Sequence, residues 1–294
     1  MGHGMTSLRV RAAGVIARQQ LRETLLSPGL SGTLALGMAI AYVLCTGYVN
    51  AIDSSGFDPR LSPFWGLVAR ALSGAFGPGF VEKLFTEGPF LAALALSYAP
   101  VLTFLCIGSV FRFGTEKNAG AVEMFVYGPA DGTSYILASF AKDGVLAALS
   151  LAVLALYFFC IAEIENLALG PLFLVSLPIS LLLALGVLAW GLLCSIVADL
   201  PASGLAIFIG ICTVFTALLA GSSAVGASPA RAVAEPVSAA LRWISPLYYS
   251  SLALRAYQGG NLPDYLLGLL FMAALTAALL AACHYVFRLK GVRA

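Results

Sequence analysis

Six uncharged apolar runs, each near the length that crosses a bilayer, constrain this chain more than any other feature. They lie at about 30–49, 88–111, 144–162, 169–197, 203–221 and 265–287. A helix needs about 20 apolar residues to span the hydrocarbon core. The balance of the chain agrees: 60% of its 294 residues are hydrophobic and 10% are charged, against about a quarter charged in a soluble domain. The expected fold is all-α and integral to the membrane. Pro178 falls inside the fourth run, where a kink is expected. The net charge of +2 gives no reason to expect nucleic acid as a partner.

Basic residues near the ends of spans set orientation. With the N-terminus inside, the inner segments hold ten of the 16 lysines and arginines, among them Arg9, Arg11, Arg18, Arg22, Arg112, Lys117 and Lys142. That excess predicts six spans with both termini in the cytoplasm. The segment before Leu30 is long, basic and helical in pattern. It reads as an interfacial helix over residues 1–29 rather than a signal peptide, ahead of a six-span domain over 30–294. The opening MGHGMT matches a myristoylation pattern by chance, since a polytopic protein gains nothing from an acyl chain. On a helix Arg11, Arg18 and Arg22 fall within about 40° of one another. They form a basic face for lipid phosphates or a partner, or they serve only as an inside anchor.

Several chemistries are not expected. The six cysteines, Cys45, Cys106, Cys160, Cys194, Cys212 and Cys283, sit in or beside apolar runs with no C-x-x-C spacing. They read as small packing residues. The two histidines, His3 and His284, do not make the H-E-x-x-H geometry of an intramembrane metalloprotease. No metal site or catalytic set is expected, and no cofactor on this chain. The polar residues inside the spans are mostly serines and threonines, with no ionised residue near a span centre. Ion-coupled carriers usually keep such a charge, so the pattern favours a translocator energised from outside the membrane.

Two outer segments are longer than plain connectors. PFWGLVARALSGAF lies within 50–87, and SAALRWISPLYYSSLALRAYQGG within 221–264. Trp243, Tyr248, Tyr249 and Tyr257 suit the headgroup level, where interfacial aromatics gather. These segments are either amphipathic loops lying on the membrane or a re-entrant helix pair that closes an exit.

Between the second and third runs stands EKNAGAVEMFVYGPADG, from Glu116 to Gly132. Gly114 and Gly120 permit turns. AVEMFVY has room for about two helical turns before Gly128 and Pro129 stop them. Such a helix presents Met124 and Phe125 as apolar knobs beside Glu123. By periodicity alone it is either a plain interfacial loop helix or a docking element.

The order Glu116, Gly120, Glu123, Pro129 resembles the signature loop of type-2 ABC exporter permeases, commonly E-x-x-x-G-T-x-E-L-L-x-x-x-P followed by Gly-Lys before the third span. Ala121 replaces the usual threonine, Met124 and Phe125 stand where paired leucines are typical, and FAKD puts Lys142 in the lysine position with Ala141 for glycine. ARQQLRETLLSPG before the first span and ISPLYYSSLALRAYQGG before the last are similar to the family's interfacial helix and outer segment.

The resemblance implies the type-2 exporter architecture. It implies a second permease subunit, as homodimer or heterodimer, and two copies of an ABC ATPase, with the cargo path between the permeases. Residues Glu116 to Pro129 would couple to the ATPase, which would bind ATP and Mg. None of the four lysines follows a glycine, so no G-x-x-x-x-G-K-[ST] phosphate loop is present, and the ATPase is expected on a separate polypeptide. The expected location is the cell membrane. A second reading is an integral-membrane enzyme acting on lipid-linked substrates, with Glu163 and Glu165 as its only close acidic candidates.

Overall fold

Prolines and glycines punctuate the fold much as they punctuate the sequence. The computed structural model describes residues 2–55, 58, 62–76, 81–82, 85, 88–118, 132–221 and 241–290. Its helices are α1 (Gly2–Leu25), α2 (Pro28–Ser55), α3 (Pro63–Phe76), α4 (Phe90–Asn118), α5 (Gly132–Ile164), α6 (Pro171–Val197), α7 (Pro201–Gly221), α8 (Pro246–Gln258) and α9 (Leu262–Lys290). Five of these begin at a proline, whose fixed φ suits the first turn and whose missing N–H is not needed there. Pro100 and Pro178 lie within continuous helices.

Six helices, α2, α4, α5, α6, α7 and α9, are long and apolar enough to cross a membrane. The chain therefore has the form of a multi-pass helical membrane protein. Most of these helices overrun their apolar windows. α5 extends furthest, starting at Gly132 rather than near Gly144.

The spans alternate in direction. Gly29 of α2 meets Phe104 of α4, and a Cβ on Gly37 would collide with the Ser97 carbonyl oxygen. Further along α2, the Tyr48 hydroxyl donates to the Phe85 carbonyl at 2.7 Å. One numbering rises as the other falls, so α2 and α4 are antiparallel and closely packed. At one end of the bundle, here the base, Phe113 of α4 sits 5.8 Å from the Tyr135 ring of α5 and 6.4 Å from the Phe287 ring of α9. At the other end, the crown, Phe90, Phe158 and Phe173 join α4, α5 and α6 at ring separations of 5.6–6.0 Å. Between the ends lies a continuous core of residues such as Val101, Leu146, Leu154 and Leu188. α1 packs along α5 at the base.

The crown carries two of the three described helices that are not spans, α3 and α8. Trp65 of α3 is buried, edge-on to Tyr48 at 5.3 Å. α8 forms a hairpin with α9 across Gly259 and Gly260, the latter in the left-handed region at φ 73°. Tyr257 faces Tyr265 near the tip, Gly268 abuts Ala253, and Tyr249 stacks on Phe271 at 5.7 Å. The start of α8 then meets mid-bundle residues: a Cβ on Gly186 of α6 would lie 3.1 Å from Pro246 and 3.6 Å from the Thr276 hydroxyl of α9. Thr276 is about 21 Å along α9 from Leu262 at 1.5 Å per residue. α8 thus runs from half depth back to the crown.

Candidate functional site

At the base, Gly120, Glu123, Met124, Phe125 and Pro129 lie outside the described residues. The helix ends that carry this connection are described, and charged side chains tie them together. Arg112 Nε donates to Glu116 Oε1 at 3.0 Å, one helical turn on. Arg112 Nη2 donates to Glu23 Oε2 of α1 at 2.8 Å. The Tyr135 hydroxyl of α5 donates to the other oxygen of Glu116. Lys117 Nζ donates to the Ala198 carbonyl at 3.0 Å, with Asp199 at 3.8 Å. Gly114 rests against Pro201, 3.0 Å from where its Cβ would stand. Arg112 with Glu23 therefore joins α4 to α1, Glu116 with Tyr135 joins α4 to α5, and Lys117 adds the corner between α6 and α7.

α1 presents two faces. Ile16, Gln20 and Leu21 turn inward against the core clusters or into the protein. Arg18 and Arg22 are exposed, as a basic surface face requires, while the side chain of Arg11 lies outside the described set. Hydrogen bonds from Arg112 and then Gln19 hold the Glu23 carboxyl below the usual carboxylate range.

Sequence reasoning missed a buried ion pair. It counted Lys142 among the inner-segment cations and began the third span at about 144, just past Asp143. The structure places both inside α5, 4% and 3% exposed, with Lys142 Nζ 2.7 Å from Asp143 Oδ1. Ser109 of α4 stands beside the pair in the lining of one cavity. The early start of α5 at Gly132 is what carries FAKD into the bundle.

The crown aromatics are not one interfacial belt. Trp243 is 64% exposed, as a headgroup-level indole would be, but Tyr249 is 5% exposed and belongs to the core. Its ring lies on Phe271, about 14 Å down α9 from Leu262, and its hydroxyl donates to the Trp243 carbonyl at 3.0 Å. Tyr248 and Tyr257 are half-buried. A single helix hairpin packed into the bundle accounts for this split, because alternate faces of α8 meet α9 and the surroundings. A small cavity of about 70 Å³ beside α8 and α7 is lined by Arg242, Arg255, Ser245 and Tyr248.

A larger groove, about 350 Å³, runs between α4, α6 and α7. Leu102, Ile107, Leu205 and Phe208 form its apolar wall. Thr103, Thr213 and Thr216 also line it, and each hydroxyl is bonded to a backbone carbonyl of its own helix at 2.8–3.0 Å. The donors are thus used locally, and the wall presents mainly methyl groups and acceptor lone pairs.

Glu165 accepts a hydrogen bond from Thr46 at 3.2 Å in the turn after α5, and Glu163 is exposed. This bond ties Glu165 to α2. Among the described residues no cluster of His, Cys, Asp or Glu is arranged to hold a metal, and all six cysteines are free thiols. No protein-family model matches the chain, and no curated protein matches its sequence.

Proposed function

We propose that this chain is the membrane subunit of an ATP-driven exporter of the type-2 ABC class, working in the cell membrane. The observation that carries the reading is the Glu116, Gly120, Glu123, Pro129 spacing between two helices whose facing ends are knit to α1 through Arg112 and Glu23. A push on that connection reaches α4 and α5 directly and α1 through a single arginine. Two such subunits pair, and each binds one ATPase, which carries ATP and Mg. ATP binding draws the ATPases together and moves the docked connections. Contacts that differ between the two states then shift the permeases between inward- and outward-facing forms.

The groove of α4, α6 and α7 supports an apolar or amphiphilic cargo. It is uncharged along its length, and α7 is the least buried of the spans, leaving a face for the second subunit. The test is purification of the tagged chain from its native membrane in mild detergent. The expected result is co-isolation of a polypeptide with a G-x-x-x-x-G-K-[ST] phosphate loop, and ATP hydrolysis by the complex that stops when that lysine is changed. Isolation of the chain with no such ATPase, together with turnover of a lipid-linked substrate by the chain alone, would reject the proposal for the enzyme reading.

A further inference from the structure

The buried pair in α5 forms the floor of a partly open cavity of about 270 Å³ between α1, α4 and α5. Its lining carries two cations, Arg112 and Lys142, and two carboxylates, Glu23 and Asp143. Thr24, Ser27 and Ser109 add hydroxyls, and Gly108 adds backbone. Phe104 and Leu105 close the cavity toward the middle of the span.

Burying an ammonium and a carboxylate is costly unless further hydrogen bonds satisfy them. Asp143 has Lys142 as its ion-pair partner at 2.7 Å. Lys142 has three N–H donors, and among the described residues its only acceptor is Asp143. An acceptor group in the cavity would meet donors that the protein does not use. The carboxylates likewise have lone pairs beyond those occupied, since each offers about four acceptor sites.

Depth narrows the class of ligand. α4 is about 43 Å long at 1.5 Å per residue, some 13 Å longer than a hydrocarbon core of about 30 Å. Ser109 lies about 14 Å from its base end, near the boundary between headgroups and acyl chains. A polar cavity with an apolar inner wall at that level has the form of a headgroup seat. The charge balance narrows it further. An anionic headgroup would bring a net negative charge against two carboxylates. A zwitterion offers phosphate to Arg112 and Lys142 and ammonium to Glu23 and Asp143. Of the common zwitterions, only one with a primary ammonium donates hydrogen bonds to carboxylates; a quaternary choline has no N–H.

We infer that this cavity binds the phosphoethanolamine headgroup of a membrane phospholipid, as a resident lipid of the fold. The inference does not rest on the exporter reading. It is tested with the full chain purified in mild detergent and with reconstitution into vesicles of phosphatidylethanolamine, phosphatidylglycerol or phosphatidylcholine. Two variants remove the seat by different means. Gly108→Leu fills the cavity without touching a charge, since a Cβ there meets no atom within 4 Å. Lys142→Met with Asp143→Leu removes the buried pair at similar volume.

The wild-type chain should retain phosphatidylethanolamine over phosphatidylglycerol by about tenfold relative to the bulk membrane, a ratio equivalent to about 1.4 kcal/mol. Its melting temperature should rise in phosphatidylethanolamine above that in the other two lipids. Gly108→Leu should return both readings to bulk values, and the paired variant should do the same. Absence of enrichment in the wild type would overturn the inference, as would enrichment that survives Gly108→Leu. Equal retention of phosphatidylglycerol would overturn the zwitterion assignment. Stabilisation by soluble phosphoethanolamine as large as by the lipid would move the site to a free solute and overturn the lipid assignment.

Discussion

Lys142 and Asp143 are neighbours in sequence and partners in space, both almost wholly buried. Removing one side of such a pair strands the other charge and typically costs about 3–5 kcal/mol, whereas replacing both with apolar groups of similar volume is often close to neutral. Lys142→Met alone should therefore lower thermal stability sharply in detergent, and Asp143→Leu added to it should restore most of the loss. If the single and double variants melted together, the pair would not be coupled. Glu23 gives a pH-dependent counterpart. Its folded pKa lies below the ordinary value of 4.5 because Arg112 and Gln19 bond its charged form. The stabilisation is present above that ordinary value and is lost as pH falls through the lowered one. The pair is half-exposed, so it contributes at most about 1 kcal/mol. Amide protection factors in 14–25, with the pH dependence of intrinsic exchange divided out, should fall on acidification, and Glu23→Gln should show the lower protection already at neutral pH. Insensitivity of that variant would remove the tie from any role in seating α1. The pairing of Arg112 with Glu116 follows directly from the i, i+4 spacing in the sequence. The burial of Lys142 does not, because a hydropathy window reads a charge as the edge of a span and has no term for a neighbouring countercharge.

At the scale of the helix, starts and stops were readable where their cause is local. Pro246 opens α8 and Gly260 ends its hairpin with a positive φ, both visible as letters in the sequence. The depth of α8 was not readable. PLYYSSLALRAYQ is too short and too polar for a spanning window, yet its beginning sits at mid-bundle. Its serines make this tolerable: Ser250 donates to the Leu247 carbonyl at 2.8 Å and Ser251 to the Tyr248 carbonyl at 2.7 Å. Polar groups satisfied within the segment need no water at that depth. The hairpin depends on a close approach at Gly268, where a Cβ would lie 2.9 Å from the Ala253 Cβ and 3.1 Å from its Cα. Gly268→Leu should separate α8 from α9, at the cost of about 1–3 kcal/mol usual for overpacking. Hydrogen exchange should rise across 246–258 while α2 and α4 remain protected. Gly47→Leu is the control, since a Cβ there meets nothing within 4 Å. Equal effects of the two substitutions would mean that the close approach is not what holds the hairpin.

For the whole molecule, the number and alternation of spans were legible because apolar length is a property of composition, and backbone hydrogen bonding in lipid leaves a helix few other forms. Sidedness belongs to the charge bias, and its test is labelling of single cysteines in a cysteine-free chain. Positions at Gly56 and Gly260 should react from outside the cell, and positions at Asn118 and Gly291 should not. Outside reaction at Asn118 would place the connection between α4 and α5 away from any cytoplasmic ATPase. On the proposed exporter reading, that connection is where the mechanism is decided. Arg112, Glu116, Tyr135 and Glu23 hold its flanking helix ends as one unit, so a docked partner has something rigid to push. The docking energy itself should come from Met124 and Phe125. Truncating one buried apolar anchor at an interface typically costs at least about 1–2 kcal/mol, while exposed ion pairs contribute less. Met124→Ala with Phe125→Ala should leave the chain inserted and folded, with an unchanged melting temperature. It should weaken ATPase association by at least about tenfold, the ratio for 1.4 kcal/mol, and reduce transport in step. Glu116→Gln should behave differently: it loosens the tie to Arg112 while leaving the knobs in place, so the ATPase should still bind while hydrolysis becomes less tightly coupled to transport. If the double variant bound its ATPase and transported normally, the connection would be a linker only, and the stroke would have to enter the membrane through another element.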